Sequence, residues 1–238
     1  MKKYLALILP LLLSCEPTKK NELIEIDATA EGQSFNAAFL MIDGVFNSEL
    51  MAPYDIFQHT IFHTKGGISV FTVNETLDTV TTFEGLKLIP HYSFDSPDLP
   101  EIDILVVPSA EHNMDTDLKN EKLISWVSKI GKSADFVMSL CDGAFVLAKA
   151  GLVDGKESTT FPTDIAKYRE TFPSLKIHED VSFVHHANLL TSAGGAKSYD
   201  VALYLVHHLY GDKVAKGVGK GLVIDWDVND YAFVRVKE

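Results

Sequence analysis

Apolar and polar residues fall along this chain in blocks, each with the length of a strand or a helix. Residues 36–42 (NAAFLMI) form a nearly continuous apolar run, the pattern of a strand buried on both faces, and Asp43-Gly44 ends it. Residues 53–63 read as a helix with Pro53 in its first turn. Residues 68–73 are a second strand, and 80–83 and 86–90 flank Glu84-Gly85 as a hairpin. Residues 102–107 (IDILVV) are another buried strand, closed by Pro108. In 117–130, Leu118, Ile124, Trp126, Val127 and Ile130 share one face of an amphipathic helix. A strand at 136–140 leads into a helix at 144–150, closed by Gly151. Further on come a short helix within 161–172 and strands at 181–184 and 188–192. Helices at 198–210 and 212–220 follow, with Gly211 between them. Buried strands alternating with helices predict an α/β fold: a single-domain sandwich with a mainly parallel central sheet flanked by helices.

The chemistry gathers at Leu140-Cys141-Asp142-Gly143, where the sixth of these strands turns into its helix. Ser139 and Gly143, two residues to either side of Cys141, are small enough to allow a sharp turn that holds the thiol out. That is the logic of a nucleophile elbow. The helix N-terminus behind it favours thiolate over thiol. The competing reading is a buried structural cysteine. Parallel sheets bind ligands at the carboxyl ends of their strands, so Cys141 and the 108–114 loop are expected to meet there.

Composition narrows the partners. The chain has 238 residues, a formal net charge of −12 and a pI near 5.1, which argues against nucleic acid and anionic lipid surfaces. Its start has a different character. Lys2 and Lys3 precede an apolar stretch at 4–13, too short to span a bilayer, and Leu12-Leu13-Ser14-Cys15 resembles the lipobox of bacterial lipoproteins. This implies a signal at 1–15, Cys15 as the lipidated mature N-terminus, and a protein anchored in a bacterial cell envelope. Residues 16–35 read as a tether, 36–222 as the domain and 223–238 as a C-terminal extension. With Cys15 acylated, Cys141 is the remaining thiol, so no intramolecular disulfide forms.

The run from Ser139 through Cys141-Asp142-Gly143-Ala144-Phe145 to Gly155-Lys156 resembles the elbow of the ThiJ/PfpI superfamily, also called the DJ-one family. That family lies within the class I glutamine amidotransferase-like fold. Leu189-Leu190-Thr191-Ser192-Ala193-Gly194-Gly195 with Asp200-Val201-Ala202-Leu203 is similar to the branch that holds isocyanide hydratases and sensor domains of AraC-type regulators. Asp43-Gly44-Val45 and Glu49 to Phe57 are similar to the family's first strand–helix junction, and the likeness spans about 36–222. The resemblance implies that Glu49 is a protonated carboxyl beside the Cys141 sulfur, tuning it. It also implies backbone amides near Ser109, Ala110 and Asp142 as oxyanion donors, and a homodimer.

Departures from the family pattern matter as well. Phe161 stands where many members have a histidine, in Thr159-Thr160-Phe161, so a Cys-His dyad is absent and peptidase activity is disfavoured. Phe161 is expected to face the crevice and dry it. Pro108-Ser109-Ala110 replaces a Gly-Gly pair, and the Asp142 carboxylate opposes a thiolate. His112 is a candidate for proton transfer in the pocket loop. His185 and His186 face opposite sides of a strand, and His207 and His208 diverge on a helix. No HExxH or CxxC spacing occurs, so neither metal nor cofactor is expected, and Gly66-Gly67 and Gly194-Gly195 read as turns. Three functions remain open. The first is a cysteine-dependent enzyme on a small electrophile, as a hydratase or hydrolase or in a glyoxalase- or deglycase-like reaction. The others are a non-catalytic ligand-binding module and a redox-stress protein.

Overall fold

The computed structural model describes residues 26–236. The expected signal and lipobox at 1–15, with Cys15, lie outside the described residues, as does the first half of the tether, 16–25. In chain order the elements are β1 (Ser34–Leu40), α1 (Asn47–His59), β2 (Gly67–Asn74), β3 (Val80–Thr81), β4 (Lys87–Leu88), β5 (Tyr92–Ser93) and β6 (Ile104–Val107). Then come α2 (Glu121–Ser133), β7 (Phe136–Leu140), α3 (Gly143–Lys149), β8 (Glu157–Ser158), α4 (Ile165–Thr171) and β9 (Lys176–Ile177). The chain finishes with β10 (Phe183–His186), β11 (Leu189–Ser192), α5 (Lys197–Tyr210), α6 (Asp212–Gly221) and β12 (Phe233–Val236).

Eight strands form the central sheet in the order β12-β10-β11-β7-β6-β1-β2-β5. All neighbouring pairs are parallel except β10 and β11. The chain runs outward from β1 to β2 and β5, then returns to place β6 on the other side of β1. That reversal is a topological switch point, with a crevice at the carboxyl ends of β1 and β6. Side-chain alternation explains the two layers. Ala37 and Phe39 of β1 and Ile104 and Val106 of β6 face Ile56, Phe57, Leu203 and Val206 from α1 and α5. Ala38, Leu40, Leu105 and Val107 face Leu123, Trp126, Phe145 and Leu147 from α2 and α3. Both faces of the strands are covered, which is why they read as unbroken apolar runs.

Several boundaries differ from expectation. Helix α1 begins at Asn47, well before the expected residue 53, and carries Pro53 inside it. The buried side chains of Leu50, Ala52, Ile56 and Phe57 outweigh the backbone bond that Pro53 cannot make. The helix expected at 117–130 opens as a 3-10 turn, and Asn120 then caps α2 by accepting from the Leu123 backbone N–H at 3.1 Å. The segment marked as a C-terminal extension supplies β12, paired in parallel with β10, and buries Trp226 and Val228. The described end of the tether also packs down. Ile26 and Ala30 are buried, and the Thr29 and Ala30 N–H groups donate to His208 and Leu209 carbonyls. The fold therefore draws in residues on both sides of 36–222. No helix among the described residues is long and apolar enough to cross a membrane.

Candidate active site

Cys141 follows the last residue of β7, and its φ of 51° is in the left-handed region that non-glycine residues rarely enter. The turn is held from both sides. The Cys141 N–H donates to Ser192 O at the end of β11, and Gly143 presses against the end of β6. A β-carbon on Gly143 would lie 2.1 Å from Val107 O, so only glycine fits there. Strand, strained cysteine and helix thus form the elbow that the sequence predicts.

Glu49 arrives from the first turn of α1, at the carboxyl end of β1, and is 4% exposed. Its carboxyl bridges two loops: Oε2 accepts from the Ser109 N–H and Oε1 from the Gly195 N–H, each at 3.1 Å. The Phe46 N–H donates back to Ser109 O, which locks the β6 loop against the start of α1. Gly194, at φ +76°, closes the fourth side. A β-carbon there would meet Cys141 Cβ at 2.4 Å and Glu49 Oε1 at 2.8 Å. Those two distances bound the gap between Cys141 Cβ and Glu49 Oε1 at 5.2 Å. Gly194-Gly195, read from the sequence as a plain turn, is the wall of the site. The signal for it was the glycine pair directly after a buried strand.

The thiol does not lean toward thiolate as expected. Burial first, then the Glu49 and Asp142 carboxylates, push the Cys141 thiol far up, while the Ser109 hydroxyl and the Asp142 N–H pull weakly the other way. Cys141 is 7% exposed, so the helix N-terminus is too weak to offset the loss of water around the sulfur. Asp142 is also shifted: burial, then Asp164, raises its carboxyl to about 7. Thr160 Oγ1 lies 3.1 Å from Asp142 Oδ1 and 3.0 Å from Cys141 O.

The expected oxyanion donors are partly spent. The Ser109 N–H goes to Glu49, and the Ala110 N–H goes to Asn113 Oδ1 at 2.9 Å. What faces the sulfur from the β6 loop is the Ser109 hydroxyl, fully buried and without a completed hydrogen bond. His112 does not enter the site. It is half exposed and pairs with Asp115 at 3.5 Å. Phe161 is 37% exposed and is not among the residues lining the adjoining hollow. That hollow holds about 480 Å³ and is lined by Thr160, Ser182, Ala193, Lys197, Asp230 and Tyr231 among others. Asp230 and Tyr231 come from the segment after 222.

His185 and His186 are hydrogen-bonded into the fold on opposite faces of β10. His185 Nδ1 meets the Tyr204 hydroxyl and Nε2 the Ala187 carbonyl, both at 2.8 Å. His186 points to the other face, where Nδ1 accepts from the Glu157 N–H. Burial lowers His185 and His208 to about 4, so both are neutral in the folded core.

Comparison with known proteins fits this geometry. Residues 36–208 match the DJ-1/PfpI family. The isonitrile hydratase of Pseudomonas putida is 30% identical over 179 residues, covering 75% of this chain and 73% of that protein. The deglycase of Pyrococcus horikoshii is 28% identical over 124 residues, or 52% of this chain and 70% of that protein. Among solved structures, an AraC family transcriptional regulator from Pseudomonas putida superimposes with a TM-score of 0.69 at 23% identity. It covers 79% of this chain and 99% of the regulator chain. With its family model spanning most of the chain and its elbow in place, this protein belongs to the DJ-1/PfpI family.

Proposed function

We propose that this protein is a lipid-anchored, cysteine-dependent enzyme acting on a small electrophilic molecule. Cys141 is the nucleophile, and Glu49 tunes it and orders the loops around it. The observation that carries the reading is the strained Cys141 at the carboxyl edge of the sheet, walled by Glu49 and Gly194. A buried structural cysteine needs neither the positive φ nor a bridging carboxyl. The chemistry that fits is addition of sulfur to an electrophilic carbon, leading to hydration or hydrolysis, with a glyoxalase- or deglycase-like reaction as the other form. The names of the isonitrile hydratase and deglycase relatives support both. Phe161 in place of a histidine disfavours peptidase activity.

Turnover of a panel of small isonitriles and glycated amines tests the reading. The wild type is expected to consume at least one of them and Cys141→Ser none, with Glu49→Gln slowed about tenfold or more. A second reading, a ligand-binding module, is favoured by one observation, the raised thiol pKa. It gains if ligands bind equally well to wild type and Cys141→Ser with no turnover. Anchoring through Cys15 belongs to the same proposal. The intact protein is expected to partition into detergent and Cys15→Ala into the aqueous phase, whereas an unmodified N-terminus by mass spectrometry would remove the anchor.

A further inference from the structure

Val223 is 94% exposed and Phe62 72%. Val223 also has a φ of 60°. It is the C′ residue of a Schellman motif at the end of α6: its N–H donates to Lys220 O at 3.2 Å, and the Ile224 N–H donates to Gly219 O at 2.8 Å. Glycine is usual at that position, and a β-branched residue is strained there. A strained backbone that presents its side chain to water gives the fold nothing in return. Phe62 stands beside it, in the 3-10 turn at Thr60–Phe62. The next residue, His63, lies on a glycine face of α6. A β-carbon on Gly217 would be 2.7 Å from His63 Nδ1, and one on Gly221 4.0 Å from His63 Nε2.

We propose that the outer side of α6, with this turn next to it, lies against an anionic lipid surface, and that Phe62 and Val223 dip into it. This rests on the anchor at Cys15. Lysines rim the apolar pair. Lys213, Lys216 and Lys220 are exposed and fall within about 60° of one another around the axis of α6. Lys65 is exposed just past the turn. Lys213, Lys220 and Lys65 make no ion pair among the described residues, and Lys216 holds Asp212 at 2.9 Å. The exposed Asp27 and Glu31 belong to the tether, and Asp225 lies beyond the helix end. The net charge of −12 opposes anionic lipid at a distance. At physiological ionic strength a charge is felt over only about 8 Å, so the lysines govern the contact itself. Their stems also reach past the apolar side chains to the headgroups.

The tether brings lipid to this side. Ala28 Cβ lies 3.5 Å from where a β-carbon on Gly211 would stand, immediately before α6. Gln33 O accepts from the Gly67 N–H at 3.1 Å, shortly after the turn. The described tether thus touches both parts of the face. The eleven residue steps from Cys15 to Ile26 span at most about 40 Å, which keeps an anchored lipid close by. No residue of the site belongs to this face, so the contact leaves the Cys141 edge free for a water-borne substrate.

The full chain, produced in a bacterium and purified in detergent, is reconstituted with vesicles of phosphatidylcholine, with or without phosphatidylglycerol. Flotation reads attachment. Brief acetylation and peptide mass spectrometry read contact, as labelling of Lys213 and Lys220 relative to Lys129, Lys132 and Lys149, which lie together across the sheet on α2 and α3. On the anionic vesicles this ratio is expected to be about fivefold lower than on phosphatidylcholine alone, the pull of one lysine toward an anionic leaflet. Phe62→Ser combined with Val223→Gly, which relieves the strained backbone, is expected to fold and to recover most of the labelling. Protection that persists in that variant overturns the insertion. An equal ratio on both vesicles, with the protein attached to each, overturns the face and leaves the anchor standing. A chain that floats only with the anionic vesicles keeps the face and removes the anchor. A chain that floats with neither overturns both.

Discussion

At the scale of single residues, the site depends on backbone that comes closer than side chains allow. Gly194 is the sharpest case, because its missing β-carbon leaves room for both Cys141 and Glu49. Gly194→Ala is expected to destabilise the fold by about 2 kcal/mol or more, through overpacking and a φ of +76° that alanine resists. Thermal melting checks the stability, and turnover should be lost with it. Cys141 and Glu49 were legible in the sequence because each lies at a strand–helix junction that the resemblance marks. The spent amides of Ser109 and Ala110 were not. Their partners, Glu49 and Asn113, reach them only by folding back from other positions, one of them 60 residues away. The raised thiol was illegible for a related reason. Helix position can be read from the pattern, but the depth of burial and the meeting of Glu49 with Asp142 belong to tertiary packing.

At the scale of elements, the strands were read well and the chain's edges poorly. Buried parallel strands announce themselves as apolar runs, and β6 and β7 came out within two residues of expectation. The start of α1 was missed because Pro53 reads as a first-turn residue while the true first turn, with Glu49, looks polar. Strand β12 was missed because its four residues carry no strong pattern and gain their place by pairing with β10. The seam between β10 and α5 leads to a pH dependence. His185 and His208, with ring centroids 5.2 Å apart, sit at about 4, below the usual 6.5. The unfolded chain therefore binds more protons between about pH 6.5 and 4, so stability falls as pH drops through that window. Asp142, raised to about 7, has the opposite sign and offsets part of the loss. The melting temperature is expected to fall from pH 7 to 4.5, and His208→Gln should flatten the fall. A flat profile in the wild type would contradict the neutral buried pair.

At the scale of the whole molecule, the eight-stranded sheet gathers loops that are distant in sequence at one edge. The ends of β1, β6, β7 and β11 supply Glu49, Ser109, Cys141 and Gly194. The outer surface carries a second feature. Met51, Phe83, Leu86 and Ile89 are exposed near the start of α1 and the β3–β4 hairpin, beside an apolar hollow of about 230 Å³. A second copy of the chain covering this face accords with the homodimer that the resemblance implies. Light scattering at micromolar concentration is expected to give twice the monomer mass of 26.3 kDa, less any cleaved signal, and Ile89→Asp to lower it. A monomer mass in the wild type would contradict the dimer. The central claim, that Cys141 is a nucleophile rather than a packed core residue, is tested most directly by labelling the native protein. The full chain is incubated with iodoacetamide under native conditions, and the adduct is located by peptide mass spectrometry. The account requires an adduct on Cys141 while the fold stays intact; modification of Cys141 only after the chain is unfolded would contradict it.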